Sequence, residues 1–382
     1  MKEKPFKIVY CTPSLYIAGG VERVLTLKAN YFAEQYGYLI TIILTDGKDK
    51  PFAFPLSNKI DIINLNINFE ELWNCGFIKK VFLYLFKQYN YRRKLTNELM
   101  RIRPDITDSL LRREVNFLTK INDGSKKIGE LHVSKNNFRT FKDIETNYIK
   151  DLFSRLWIKR TIPALRSLDK FIVLTEEDKK AWIELNNVVS IPNPVSFSMT
   201  ISSDLSVKRV LAVGRYDYVK GFDLLLKAWS IVEKACPEWH LSIYGEGDRS
   251  PYNRLRKSLG LDSERCHLNG NTLDIQKEYI NSSLFVISSR FEGLSMAMLE
   301  AISCGLPIVS FACPCGPKDV ITDGLNGVLV PRENVQQLAD SMIFIMKSPE
   351  LAREMGQKAK LKSEEYKIEV IAERWKVLFE NL

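Results

Sequence analysis

A chain of 382 residues, 45% hydrophobic and 26% charged, is too long for one ordinary core and too apolar for a disordered polymer, so two packed domains are expected. The formal net charge of +9 sits in one half: residues 1–195 carry 32 Lys and Arg against 22 Asp and Glu, residues 196–382 carry 23 against 24. An anionic partner is therefore expected for the first half, a phosphorylated lipid or a membrane surface, and nucleic acid is set aside because no usual binding motif accompanies the charge.

The chain opens on a polar stretch that does not read as an export signal. Strand-like runs follow at 6–11, 39–45, 59–65, 105–110, 127–133 and 170–174, with helical period over 21–34 and 143–168 between them. Ile191-Pro-Asn-Pro-Val195 breaks the alternation, since two prolines around an asparagine continue neither a helix nor a central strand. A second series then runs through 209–213, 240–244, 266–268, 284–288, 307–311 and 328–330. Alternation of this kind over both halves predicts an α/β protein with two Rossmann-like, doubly wound parallel sheets, one in residues 1–192 and one in residues 193–366. In such sheets ligands meet the loops that leave the C-terminal ends of the strands.

The first such loop, Thr12-Pro-Ser-Leu-Tyr-Ile-Ala-Gly-Gly-Val-Glu-Arg23, places Gly19 and Gly20 where a backbone can approach a phosphate or sugar. It lacks the G-x-G-x-x-G spacing, and Gly245-Glu-Gly247 lacks the third glycine, so a nicotinamide cofactor is disfavoured. Residues 77–94 mix aromatics with cations, a pattern that suits a helix packed on the sheet and also an interfacial segment reaching for lipid. His132, one of three histidines, falls at a strand end, and from position alone a structural role is as good a reading as a functional one.

In the second half, Val213-Gly-Arg-Tyr-Asp-Tyr-Val-Lys-Gly-Phe-Asp223 puts Arg215 and Lys220 on one loop after a strand, a planar fork and a point charge suited to a diphosphate. Ser289-Arg-Phe-Glu-Gly-Leu-Ser-Met-Ala-Met-Leu-Glu-Ala301 carries Glu292 just before a helix and Glu300 inside it. Ser295 is the expected N-cap and Gly305 the expected stop. Amides of Gly293, Leu294, Ser295 and Met296 would then face an anion, and the two carboxylates would take sugar and ribose hydroxyls. Seven scattered cysteines favour a reducing cytoplasm over a disulfide framework. Cys313-Pro-Cys315 has no second Cys/His pair at zinc spacing, so no metal site is expected.

With these motifs in order, ending on Asp323-Gly-Leu-Asn-Gly327, the chain resembles the retaining GT-B glycosyltransferases of family 4. Around Cys313-Pro-Cys-Gly-Pro-Lys-Asp319 it looks like the subgroup that builds bacterial surface polysaccharides and lipid-linked glycans. The resemblance implies two domains facing a cleft, with a closing helix at about 367–382 packed back on the first. A nucleotide diphosphate sugar, most often of uridine, would be held by Gly19, Gly20, Arg215, Lys220, Glu292, the amides of Gly293 to Met296, and Glu300. His132 and Glu292 would stand at the reacting sugar. A hexose or N-acetylhexosamine would pass to a glycan or lipid-linked acceptor, at the inner face of the membrane, with no metal or other cofactor. Two readings stay open beside it: another enzyme of the same fold, such as a sugar-nucleotide epimerase, and a catalytically silent subunit that binds sugar nucleotide and scaffolds an assembly.

Overall fold

The computed structural model describes residues 5–135, 138, 161–197, 201–272 and 274–382, with 73, 74, 77 and 78 described by backbone alone. The helix expected over 143–168 lies outside the described residues as far as 160, and residues 161–166 are helical. The chain divides into two compact units, Met1–Ile191 with Ile371–Leu382, and Pro192–Val370.

The first unit is built on seven parallel strands: β1 (Lys7–Thr12), β2 (Leu39–Leu44), β3 (Ile60–Asn64), β4 (Ile106–Ser109), β5 (Lys126–Glu130), β6 (Lys170–Val173) and β7 (Val188–Ser190). Their order is β3-β2-β1-β4-β5-β6-β7. Ile8, Ile40, Ile42 and Ile128 are buried in one core cluster, and Val9 and Ile43 in a second, so the sheet is covered by apolar residues of both alternating sets. That continuous burial is what a parallel sheet demands. Strand β7 has no counterpart in the sequence reading; its three half-buried edge residues are too few to show a period. The helix Ile368–Glu380 brings Ile371, Ala372, Trp375 and Phe379, a single helical stripe, into the core beside Leu25 and Phe32.

The second unit holds six parallel strands, β8 (Arg209–Val213), β9 (His240–Tyr244), β10 (Cys266–Asn269), β11 (Leu284–Ile287), β12 (Ile308–Phe311) and β13 (Gly327–Val330). They lie in the order β10-β9-β8-β11-β12-β13. In both sheets the order reverses once, between β1 and β4 and between β8 and β11. Connections leave such a pair of strands in opposite directions, and a crevice opens above their carboxyl ends.

Candidate functional site

Strands β8 and β11 are hydrogen-bonded neighbours at the second reversal, with Leu284 beside Val210. The two loops that follow them therefore meet. From β8 the chain passes Gly214 and Arg215 into a short turn over Tyr218–Lys220; from β11 it passes through the buried Ser288, Ser289 and Arg290 to Glu292. Lys220 Nζ lies 2.7 Å from Glu292 Oε1, and the Ser289 hydroxyl donates to the same oxygen at 2.6 Å. The lysine stem lies over Gly214, where a Cβ would stand 3.0 Å from its Cδ. Gly221, at φ 62°, has no room for a side chain, because a Cβ would collide with the Ser288 carbonyl.

Arg290 fastens the two loops. Its guanidinium donates to both Asp223 oxygens at 2.8 and 2.7 Å and to the Tyr218 carbonyl at 2.9 Å, and it stacks 4.2 Å from the centre of the Tyr218 ring. Burial would raise the Asp223 carboxyl, but the Arg290 charge and hydrogen bonds outweigh it and hold the group below the usual carboxylate range. Main-chain bonds from Arg290 to Val219 and from the Ser288 hydroxyl to Lys220 complete the lacing. Arg215 stands apart from this network: its side chain is 73% exposed and paired with Asp217 at 3.2 Å.

The helix Met296–Ser303 begins one residue beyond Ser295, which is extended and makes no capping hydrogen bond through its side chain. Ser295 thus occupies the predicted N-cap position without doing the predicted capping. Met298 and Leu299 donate to the Ser295 carbonyl at 3.2 Å, and the amides before them have no partner inside the helix by geometry. Gly316, at φ 90°, packs directly on the Gly293 carbonyl, so the Cys-Pro-Cys-Gly-Pro loop abuts the residues that lead into this helix. Burial, and then the Glu292 charge, push the Cys313 thiol up to about 12, which leaves it protonated and inert at neutral pH. Glu300 is buried; one oxygen accepts from Tyr279 Oη at 2.9 Å and the other from the Ser196 hydroxyl. Gly305, at φ 72°, closes the helix as expected. In the Asp323–Gly327 turn, the Asn326 amide donates to Val320 O and accepts from Thr322 N, at 2.9 and 2.7 Å, so that motif is spent on its own backbone.

The first unit holds the remaining candidates. Gly19 is extended at φ −94° and Gly20 is the exposed first residue of the helix Gly20–Gln35. Neither needs a backbone region reserved for glycine; Gly20 is exposed, whereas the Glu22 carboxylate lies over Gly19, where a Cβ would collide with Oε2. His132 follows β5 by two residues. Its side chain is 7% exposed, and Nε2 stands 3.4 Å from Glu130 Oε2 without hydrogen-bond geometry; among the described residues neither ring nitrogen has a hydrogen-bond partner.

Behind the histidine lies a charge cluster that the sequence reading did not single out. Buried Lys28 pairs with Glu130 and sits 3.9 Å above the Trp375 ring and 5.3 Å above the Tyr10 ring. Burial works against the ionised Glu130, but Lys28 and His132 outweigh it and hold this carboxyl well below its ordinary range. Asp108, on neighbouring β4, is pushed the other way, well above the usual carboxylate range, by burial and by the Glu130 charge. Lys28 was legible in principle, since it interrupts the apolar face Leu25, Ala29, Phe32 of its helix. Tyr279, Ser196 and Asp223, by contrast, carry no local signal; their partners lie 21 to 104 residues away.

Among the described residues, no group of three His, Cys, Asp or Glu side chains is placed to hold a metal ion. Residues 201–362 match the family described as glycosyl transferases group 1. Over 97% of its length the chain is 32% identical to an uncharacterized glycosyltransferase of Haemophilus influenzae, 99% of which is covered. It is 26% identical to the amylovoran biosynthesis glycosyltransferase AmsD of Erwinia amylovora, across 97% of this chain and 98% of that one. Among solved structures, Anabaena HepE in complex with UDP and glucose superposes with a TM-score of 0.75 at 17% identity, over 99% of this chain and all of the other. That likeness is one of fold, the two-domain GT-B architecture.

Proposed function

The chain belongs to the group 1 glycosyltransferases, and from that membership we propose that it is a retaining, metal-independent enzyme of bacterial polysaccharide assembly. Its donor is a UDP-sugar carrying a hexose or N-acetylhexosamine, and its acceptor a growing glycan or lipid-linked saccharide. The similarity to an amylovoran biosynthesis enzyme and to a UDP-binding fold neighbour supports this reading.

The observation that carries it is the Lys220–Glu292 pair beside an uncapped helix start, at the reversal of a parallel sheet. A cation, a carboxylate and unpartnered amides in one place match the three chemical parts of a sugar diphosphate. Lys220 takes the diphosphate, and the exposed Arg215 joins it from the loop surface. The amides of Gly293, Leu294, Ser295 and Met296 take phosphate and sugar oxygens, Glu292 accepts from sugar hydroxyls, and Glu300 accepts from the ribose. Gly19 and Gly20 present main chain to the donor, and His132 donates a hydrogen bond to the reacting sugar.

In the reaction, the bond from the anomeric carbon to the phosphate oxygen breaks with its electron pair leaving on the nucleoside diphosphate. A bond from the acceptor hydroxyl oxygen to that carbon forms on the same face. Attack on that face keeps the anomeric configuration, and the hydroxyl proton passes to the departing phosphate oxygen. Lys220 and the helix-start amides stabilise the charge that develops on the leaving group.

A thermal-shift panel of UDP-, GDP- and ADP-sugars tests the donor assignment, because a ligand that binds only the folded state raises its stability by mass action. UDP and one UDP-sugar are expected to raise the melting temperature. No shift with any uridine nucleotide overturns the assignment.

A further inference from the structure

The helix Phe77–Ile102 is apolar on two opposite sides. Tyr91, Leu95 and Leu99 enter the core, with Leu83 and Tyr84 packed against it. Val81, Phe82, Leu85, Phe86 and Tyr89 do not: they are 43% to 71% exposed. At 100° per residue Phe82, Leu85, Phe86 and Tyr89 fall within one contiguous stripe about 100° wide, away from the core-facing side, with Val81 at its margin. Four large side chains in one exposed stripe form a patch that a soluble surface rarely leaves uncovered without a use.

Charge says what covers it. From residue 72 to residue 97 there is no Asp or Glu, while the same stretch contains six Lys and Arg. Two of the six, Lys87 and Lys94, turn back to the carbonyls of Ile67 and Leu65. The other four, Lys79, Lys80, Arg92 and Arg93, are exposed and stand at the two ends of the stripe. A protein partner with an apolar ridge would be met as well by a neutral rim. A stripe with exposed cations at both ends and no carboxylate within residues 72–97 matches a layer of phosphate head groups around hydrocarbon, the environment in which aromatic-rich, basic helices settle. Among the described residues no helix is long and apolar enough to cross a membrane, so the contact is one made along the surface.

We infer that this stripe docks the protein on an anionic lipid bilayer, with Phe82, Leu85, Phe86 and Tyr89 in the head-group boundary and the four cations on lipid phosphates. Docking rests on no assumption about the reaction, and its test contains no sugar nucleotide, so its failure leaves the transferase reading standing. The full-length chain is sedimented with phosphatidylcholine vesicles with and without phosphatidylglycerol. Binding is expected only with the anionic lipid, and high salt weakens it. Replacing Lys79, Lys80, Arg92 and Arg93 by Gln lowers the affinity ~10²-fold or more, since each interfacial cation contributes roughly a fivefold factor. The variant Phe82→Ser/Leu85→Ser/Phe86→Ser loses binding while keeping the parent melting temperature, because these side chains are already exposed. Equal binding by wild type and this variant, or none by wild type, overturns the proposal. So does a wild-type dimer that ignores vesicles and becomes monomeric in the variant, which assigns the stripe to self-association.

Discussion

Lys220 and Glu292 are joined across two loops, Nζ to Oε1 at 2.7 Å, and both side chains are largely buried. They are therefore one coupled unit and not two independent ligand groups. In the proposed reaction the donor draws the ammonium toward its diphosphate while Glu292 keeps the Ser289 hydroxyl and turns to the sugar. Removing one hydrogen bond to a charged group costs ~1.5–3 kcal/mol, or about one to two decades. Glu292→Gln should lower transfer by that amount while UDP affinity changes little. Lys220→Met should weaken UDP itself. Because the residues touch, the double variant should lose less than the two losses combined, and a double-mutant cycle on UDP-sugar affinity reads this directly. Full additivity contradicts the coupling.

Glu300 gives a separate prediction. Its carboxylate is shared between Tyr279 and Ser196, so it is held in place before any ribose arrives. Glu300→Gln should weaken UDP binding by about one to two decades. Tyr279→Phe keeps the carboxylate but frees one oxygen of its restraint, and should weaken UDP less than Glu300→Gln does. Isothermal titration with UDP ranks the two; a larger loss for Tyr279→Phe moves the binding role from the carboxylate to the tyrosine.

The part of this site that was readable in sequence was the part written in local order. A strand followed by glycine, a cation and a helix is a pattern of neighbouring residues, and Gly214, Lys220, Glu292 and Gly305 stand where that pattern put them. The clasp that Arg290 makes with Asp223 was not readable, since it joins residues 67 apart and depends on β8 lying beside β11. The fold was legible for the same reason: parallel strands buried on both sides read as apolar runs, whereas the half-buried three-residue β7 did not. Ser295 shows the limit of residue type as evidence, because its backbone takes the cap position and its hydroxyl does not cap.

The leaving group is neutralised by side chains and amides in the proposed reaction, so transfer should persist in excess chelator. Turnover measured with and without EDTA, then with added magnesium or manganese, checks this. Loss in EDTA with recovery on adding metal reassigns the electrostatic work to a bound ion.

Asp108 and Glu130 predict an unusual dependence of stability on pH. Asp108 ionises at about 3.9 in an unfolded chain, and burial with the Glu130 charge raises it well above that in the native state. Above about pH 4 the folded protein thus holds a proton that the unfolded one has released, so this group's contribution falls as pH rises toward the folded value. Glu130 works in the opposite sense: its lowered value gives stability above about pH 4.3 that is lost in acid. Asp108→Asn should remove the first effect and keep the second. Urea midpoints measured upward from about pH 4 should then decline less with pH in the variant than in wild type, and parallel declines contradict the assignment of the raised value to Asp108.

His132 is the residue whose role most needs separating from its packing. Its ring is buried, its nitrogens have no hydrogen-bond partner among the described residues, and Glu130 lies 3.4 Å from Nε2. A histidine kept only for structure would normally have found a partner, because an unsatisfied buried polar group costs ~1–3 kcal/mol. The proposed hydrogen bond to the donor sugar supplies that partner, and it strengthens as charge develops in transfer. His132→Ala should then lower turnover by ~10²-fold or more, while UDP affinity stays within a few-fold because Lys220 and Glu300 belong to the other unit. Melting temperature should change little, because the packing and the charge beside Glu130 that are lost are set against the removal of an unpartnered polar ring. Glu130→Gln should reproduce part of the turnover loss, because the ring loses the charge beside it, but at a cost in stability from leaving Lys28 buried without its counter-ion. A packing role predicts the reverse pattern for His132→Ala, with the melting temperature lowered and the turnover of the folded fraction unchanged. Both quantities measured on the same preparation distinguish the two, and the second outcome removes His132 from the site.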